Sequence, residues 1–67
     1  MIAVYVNNKT TEVPENTSIE SLLRYLNQKR DGIAIAVNDL IITKSKWDLK
    51  FLSEKDNVLI IQATQGG

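Results

Sequence analysis

The sequence predicts an α+β domain, a mixed sheet of about five strands with one helix packed on one face. Three observations carry that reading. Five short segments have the alternation or the β-branched composition of strands. One segment alone has the period of an amphipathic helix. That helix falls between the second strand and the third, so a hairpin is followed by a crossover. At 67 residues there is room for one such unit and no second.

Ile2, Val4 and Val6 alternate with Ala3 and Tyr5, which turns the Ile/Val side of a first strand toward a core. Asn7-Asn8 tolerates positive φ and suits a tight hairpin turn. Thr10–Val13 is the return strand, rich in β-branched residues, and Pro14, which cannot donate to a ladder, closes it. Thr17-Ser18-Ile19-Glu20 has capping-box spacing, a hydroxyl followed three residues later by Glu. Ile19, Leu22, Leu23 and Leu26 then form one helical face, so a helix is expected over residues 18–29. Lys29 and Arg30 suit its C-terminal end, and Gly32 can take the left-handed stop conformation.

Ile33–Val37 is apolar throughout and bounded by Gly32 and Asn38, as a well-buried strand would be. Asn38-Asp39 is a turn signal and Leu40–Ile42 a short return. Residues 43–50 are polar and irregular around Trp47, which is expected to plug the core beneath this loop. Phe51 and Leu52 add apolar anchors, and Val58–Ile61 is the last strand.

This order sets the first and last strands side by side at the centre of the sheet, with a right-handed crossover where strands run parallel. It is the ubiquitin-like β-grasp arrangement. A ferredoxin-like split βαβ would need a second helix, for which residues 43–52 are too short and too polar. In this frame residues 1–63 form the domain and 64–67 a flexible tail ending in Gly-Gly. Val4, Val6, Ile19, Leu22, Leu23, Leu26, Ile35, Val37, Val58 and Ile60 are the expected core. Alternation then turns Tyr5, Ala36, Leu59 and Ile61 outward on the helix-free face, where a continuous apolar patch would be a partner-binding surface. The competing expectation is that residues 43–55 fold over that patch.

Composition removes much chemistry. With no Cys and no His, there is no disulfide, thiolate or imidazole metal ligand, cysteine nucleophile or Ser-His triad. No catalytic residue and no metal site is expected. Eight basic residues balance eight acidic ones, unlike a nucleic-acid binder with its basic excess. The longest apolar run, Met1–Val6, is six residues, too short to span a membrane. The first residues lack a secretory pattern, so a cytoplasmic location is expected, and a monomer when free. Possible carboxylate pairs such as Glu20 with Asp31, or Glu54 with Asp56, have hardly any interior in which to shift a pKa. Lys44, Lys46, Lys50 and Lys55, interleaved with Asp48, Glu54 and Asp56, read as solvated surface.

The informative residues are Gly66 and Gly67. At an average glycine content of ~7%, a Gly-Gly end arises by chance in about one chain in 200. A tag remnant or plain fraying are the plain readings. The functional one is chemical. An α-carboxylate is ionised at neutral pH and can be activated as an acyl-adenylate by a partner holding ATP. To reach it the tail must enter a narrow channel in extended form, and residues without Cβ allow that approach. Thr64, Gln65, Gly66 and Gly67 would extend on the order of 13 Å beyond the sheet, at ~3.3 Å per residue. The reactive group would be the chain end itself.

Val37-Asn38, Ile41-Ile42, Lys44, Trp47, Leu52, Asp56, the strand Val58–Ile61 and Gly66-Gly67 resemble, in order and spacing, the ubiquitin-like ThiS/MoaD sulfur carriers, and in particular the ThiS carriers of thiamine biosynthesis. The resemblance runs end to end. It departs at Lys55, where the family commonly has Gly, and at Thr43, where it commonly has Pro. It implies a protein co-substrate and not an enzyme. A ubiquitin-activator-like (ThiF-like) adenylyltransferase would use ATP and Mg²⁺, neither bound by the carrier, to adenylate Gly67. A persulfide donor would convert the adenylate to a thiocarboxylate, and a thiazole synthase (ThiG-like) would take the sulfur. A molybdopterin-synthase small subunit, a ubiquitin-like protein modifier and a plain interaction module remain alternatives.

Overall fold

Two asparagine-led turns shape the sheet in the computed structural model, which describes residues 1–62. Asn7 and Asn8, at φ 49° and 69°, close a hairpin between β1 (Ile2–Val6) and β2 (Lys9–Val13). Asn38 and Asp39, at φ 52° and 70°, do the same between β3 (Ile33–Val37) and β4 (Leu40–Ile42). Positive φ at both central residues gives the turn twist that matches paired strands, and Asn and Asp reach it at low cost. β5 (Asn57–Gln62) lies between the hairpins, in the order β2-β1-β5-β3-β4. It runs parallel to β1 at Tyr5↔Asn57 and Val6↔Val58, and antiparallel to β3 from Val37↔Val58 to Ile33↔Gln62. The β-grasp arrangement read from the order of elements is the one found, and only a 3₁₀ turn, Lys44–Lys46, occupies the stretch where a split βαβ would need its second helix.

The helix α1 is shorter than its pattern suggests, Ile19–Tyr25 instead of 18–29. Asn27 ends it. At φ 57° this residue is left-handed, its N–H reaches Arg24 O at 3.1 Å, and the Gln28 N–H reaches Leu23 O at 2.8 Å. That pair of bonds is the Schellman closure, with Asn where Gly is commoner. Gly32, at φ 71°, instead turns the chain into β3. The start of α1 also differs from a Thr17–Glu20 box. Ser18 is the cap, its Oγ accepting the Ser21 N–H at 3.1 Å. Thr17 Oγ1 donates to Pro14 O at 2.6 Å, and Glu20 turns to Arg30 at 3.3 Å.

A seven-residue helix is too short to persist alone. Here the polar segment after β4 holds it. The Ile19 N–H donates to Lys50 O at 3.0 Å, Glu20 N–H to Trp47 O at 3.1 Å, and Leu52 N–H to Thr17 O at 2.8 Å. Orphan donors of the first turn are thereby paired. Trp47, fully buried, anchors that segment, and its Nε1–H donates to Ile42 O at 2.9 Å.

The core between helix and sheet contains eight of the ten residues expected there: Val4, Val6, Ile19, Leu22, Leu23, Ile35, Val37 and Val58. Leu26 and Ile60 are only partly buried and pack against its margin. Leu26 is the C-cap of a helix that stops early. Ile60 lies beyond the last β1 partner of β5, Val58, so no β1 side chain covers it. Val13, Ile33, Trp47 and Leu52 complete the cluster.

Candidate functional site

The helix-free face of the sheet follows from register. With Val58 buried, Leu59 and Ile61 point the other way and are 46% and 40% exposed. Tyr5, 39% exposed, shares that face from β1. Ala36 sits opposite Leu59 on one side and Ile41 on the other. It belongs to the same face but is itself buried at 5%, because its methyl is overshadowed by those two larger neighbours. Ala36 is thus the floor of the patch rather than a contact surface, a correction to its expected role. The exposed residue in that row is Ile41, at 59%. It was legible in principle, since Leu40-Ile41-Ile42 alternates and Ile42 packs against the core.

The segment after β4 does not cover this patch. Its bonds to Thr17, Ile19 and Glu20 and the burial of Trp47 in the core place it on the helix side of the sheet. Tyr5, Leu59, Ile61 and Ile41 therefore form an open apolar surface.

Beneath that face, β5 is fixed along a length that β1 alone does not cover. Past Val6 the β1 backbone turns away, and Asn7 takes its place. Its N–H donates to Val58 O at 2.9 Å, and its side-chain Oδ1 accepts the Ile60 N–H at 2.8 Å. The Asn7 amide nitrogen also approaches Ile60 O at 3.4 Å. A side-chain amide thus imitates one more residue of parallel strand. Nothing in the sequence marks Asn7 for this role beyond its place at the turn.

Thr64, Gln65, Gly66 and Gly67, the expected tail and reactive end, lie outside the described residues, as does the expected domain boundary at residue 63. Among the described residues no group of three or more Asp and Glu could hold a metal ion, and no helix is long and apolar enough to cross a membrane.

The two departures noted in the sequence both fall on special backbone. Lys55 adopts φ 68°, a left-handed conformation that favours glycine, and its N–H donates to Ala3 O at 2.6 Å. Thr43, at φ −68° and ψ 152°, already holds a proline-like conformation.

Comparison with known proteins gives a consistent result. A sulfur carrier protein ThiS from Escherichia coli is 25% identical over 64 residues, spanning 96% of this chain and 97% of that protein. An uncharacterised protein from Pyropia yezoensis is 23% identical over 66 residues, spanning 98% of this chain and 93% of its own length. In fold, the chain is similar to the crystal structure of a thiamine biosynthesis protein (ThiS) from Geobacter metallireducens. The TM-score is 0.86 at 20% identity, covering 98% of this chain and 100% of that one. The model of the ThiS family matches residues 2–67, and the chain belongs to that family.

Proposed function

We propose that this protein is a sulfur carrier of thiamine biosynthesis whose Gly67 carboxylate carries the sulfur. The observation that supports it most is the family match over residues 2–67, which extends through Gly66 and Gly67. An adenylyltransferase binds Mg-ATP, and the Gly67 carboxylate oxygen attacks the α-phosphorus, releasing pyrophosphate and forming an acyl-adenylate. A persulfide sulfur then attacks the acyl carbon and AMP leaves. A thiol cleaves the resulting acyl disulfide, departing as a disulfide with the donor, and the thiocarboxylate remains. A thiazole synthase consumes it. The carrier supplies no catalytic side chain. Its body contributes the open apolar face of Tyr5, Leu59 and Ile61 as the docking surface, with Ile41 extending it to the sheet edge.

The test is an intact-mass measurement after mixing carrier, activating enzyme, Mg-ATP and a persulfide donor. The full chain is expected to gain the mass of one oxygen-to-sulfur exchange. A chain lacking Gly67 sets the carboxylate back by about 3.3–3.6 Å and is expected not to react, since a displacement near 1 Å can cost roughly a hundredfold in rate. A residue added after Gly67, and Gly66→Val with its stiff branched side chain, are expected to fail as well. Equal gain of mass by the chain lacking Gly67 would overturn the reading in favour of a plain interaction module.

A further inference from the structure

On the helix side of the molecule, away from the apolar face, Arg24, Arg30 and Lys44 converge on one cleft with Glu20, Ser45 and Asp48, enclosing roughly 350 Å³. Trp47 organises it. The Arg30 guanidinium carbon lies 5.5 Å from the centre of a Trp47 ring and the Lys44 ammonium 5.9 Å, both within reach of its π-face. Because the indole is buried and tied to Ile42 O, the two cations are drawn to a fixed point. Glu20 engages Arg30 at 3.3 Å, the only ion pair among the described residues. Arg24 and Lys44 thus stand in the cleft without a carboxylate partner there. Lys44, which in sequence is one of a crowd of loop lysines, is sorted by the fold into a separate group with two arginines from elsewhere in the chain.

Topology places this cleft at one end of the sheet. β3 is antiparallel to both β4 and β5, so Ile42 and Gln62, the last residues of those strands, both lie toward the start of β3. Arg30 precedes β3 closely and Lys44 follows β4 closely. β5 therefore points its C-terminal end out of the sheet on the side that carries these cations. Asp39, Glu54 and Asp56 lie at the other end, at the β3–β4 turn and the approach to β5. Lys55 stands with those carboxylates, and Asp31 precedes β3 at the cleft end, so what distinguishes the cleft is Arg24 and Lys44 with no carboxylate at ion-pair distance among the described residues.

We propose that the Arg24–Arg30–Lys44 cleft docks an acidic surface patch of the activating enzyme, close to the mouth of the channel that receives the chain end. The inference rests on the sulfur-carrier reading. It follows from charge complementarity: a partner that takes hold of the chain beyond β5 must meet this end of the sheet, and uncompensated cations there favour carboxylates opposite. Glu20 and Asp48 on the rim repel a free multivalent anion. A protein surface can set its carboxylates against Arg24 and Lys44 and its own donors against Glu20 and Asp48.

The experiment measures KM and kcat for the carrier in ATP–pyrophosphate exchange by the activating enzyme, across a salt series, with melting curves for each variant. The double variant Arg24→Glu/Lys44→Glu is expected to raise KM about tenfold at low salt with kcat unchanged. The difference should shrink as salt is added. Lys55→Glu, at the opposite end, changes the net charge by the same amount as Arg24→Gln/Lys44→Gln, serves as the charge-matched control for that pair, and is expected to keep the wild-type KM. Arg24→Gln/Lys44→Gln avoids repulsion against Glu20 and Asp48. It is expected to raise KM about threefold and decides the matter if the reversed pair folds poorly. A wild-type KM and salt dependence in a folded double variant would overturn the docking site while leaving the carrier function standing. Failure of the wild-type chain to support exchange at all would overturn the functional reading and this surface with it. Binding of millimolar inorganic phosphate at Arg24 and Lys44, with KM unchanged in the variants, would assign a small-anion site and overturn the protein partner.

Discussion

Asn38 and Asp56 lock the β3–β4 turn to the approach to β5. Asn38 Nδ2 donates to Asp56 Oδ1 at 3.0 Å, and Asn38 Oδ1 accepts the Asn57 N–H at 2.9 Å. Asp56 Oδ2 accepts the Ser53 N–H at 2.8 Å. Asn38 does this from φ 52°, a conformation that an alanine reaches only at a cost of roughly 1–2 kcal/mol. Asn38→Ala is expected to lose that conformational ease together with its hydrogen bonds, destabilising by about 2 kcal/mol. A melt should show a fall on the order of 10 °C. A double-mutant cycle with Asp56→Ala should show a coupling of at least ~0.5 kcal/mol, since the two side chains are in direct contact.

Lys55→Gly is expected to stabilise the protein. The left-handed backbone at φ 68° costs a residue with a Cβ about 1–2 kcal/mol, while glycine returns roughly 0.5–1 kcal/mol of that as extra freedom when unfolded. The net gain should be about 0.5–1 kcal/mol, measurable as a higher midpoint in urea with an unchanged slope. Because the side chain is exposed, no packing is lost.

Thr43→Pro is expected to gain about 0.4–1 kcal/mol, for the opposite reason. Proline narrows the unfolded ensemble where the native φ, here −68°, already suits it. Only a long Thr43–Ser45 hydroxyl contact of 3.4 Å is given up. A midpoint lower than that of the parent would mean that the Thr43 backbone is needed in another conformation.

Leu23→Ala, in the centre of the core at 1% exposure, is expected to cost about 2–5 kcal/mol, a large share of what a small domain has. Leu26→Ala, at the partly buried C-cap end of the same helical face, should cost clearly less. Equal midpoints for the two variants in thermal melts would contradict the early end of α1.

Ile61→Asp and Ile41→Asp place a charge on the open face without entering the core. Both variants are expected to melt within a few degrees of the parent and to show weakened binding to the activating enzyme in calorimetric titration. Unchanged affinity in a folded Ile61→Asp chain would remove the apolar face from the docking surface.

The sheet was readable because its signals are local. Asn-Asn and Asn-Asp mark two turns whose backbone few other pairs would accept, and alternation in Ile2–Val6 fixes which side is inward. The end of α1 was not, because Lys29 and Arg30 suit a helix terminus while Asn27, an ordinary surface residue by composition, stops the chain through its backbone. Pairing of Ser18 with Ser21, in place of a Thr17–Glu20 box, turns on which hydroxyl reaches its donor after Glu20 has found Arg30. The buried position of Ala36 depends on the sizes of its cross-strand neighbours, Leu59 and Ile41, and so on register. The cation cleft joins residues 24, 30 and 44 through a buried tryptophan, a convergence that no spacing rule announces.

The amide of Asn7, bonded to Ile60, gives β5 a second flank where β1 has already turned away. Tension transmitted into Gln62 along the strand axis would meet β3 on one side, and β1 with that amide on the other. All of these bonds would be loaded together in shear, with none free to peel first. The strand that presents the chain end is held on both flanks, so an enzyme can draw on that end against the resistance of two neighbours at once.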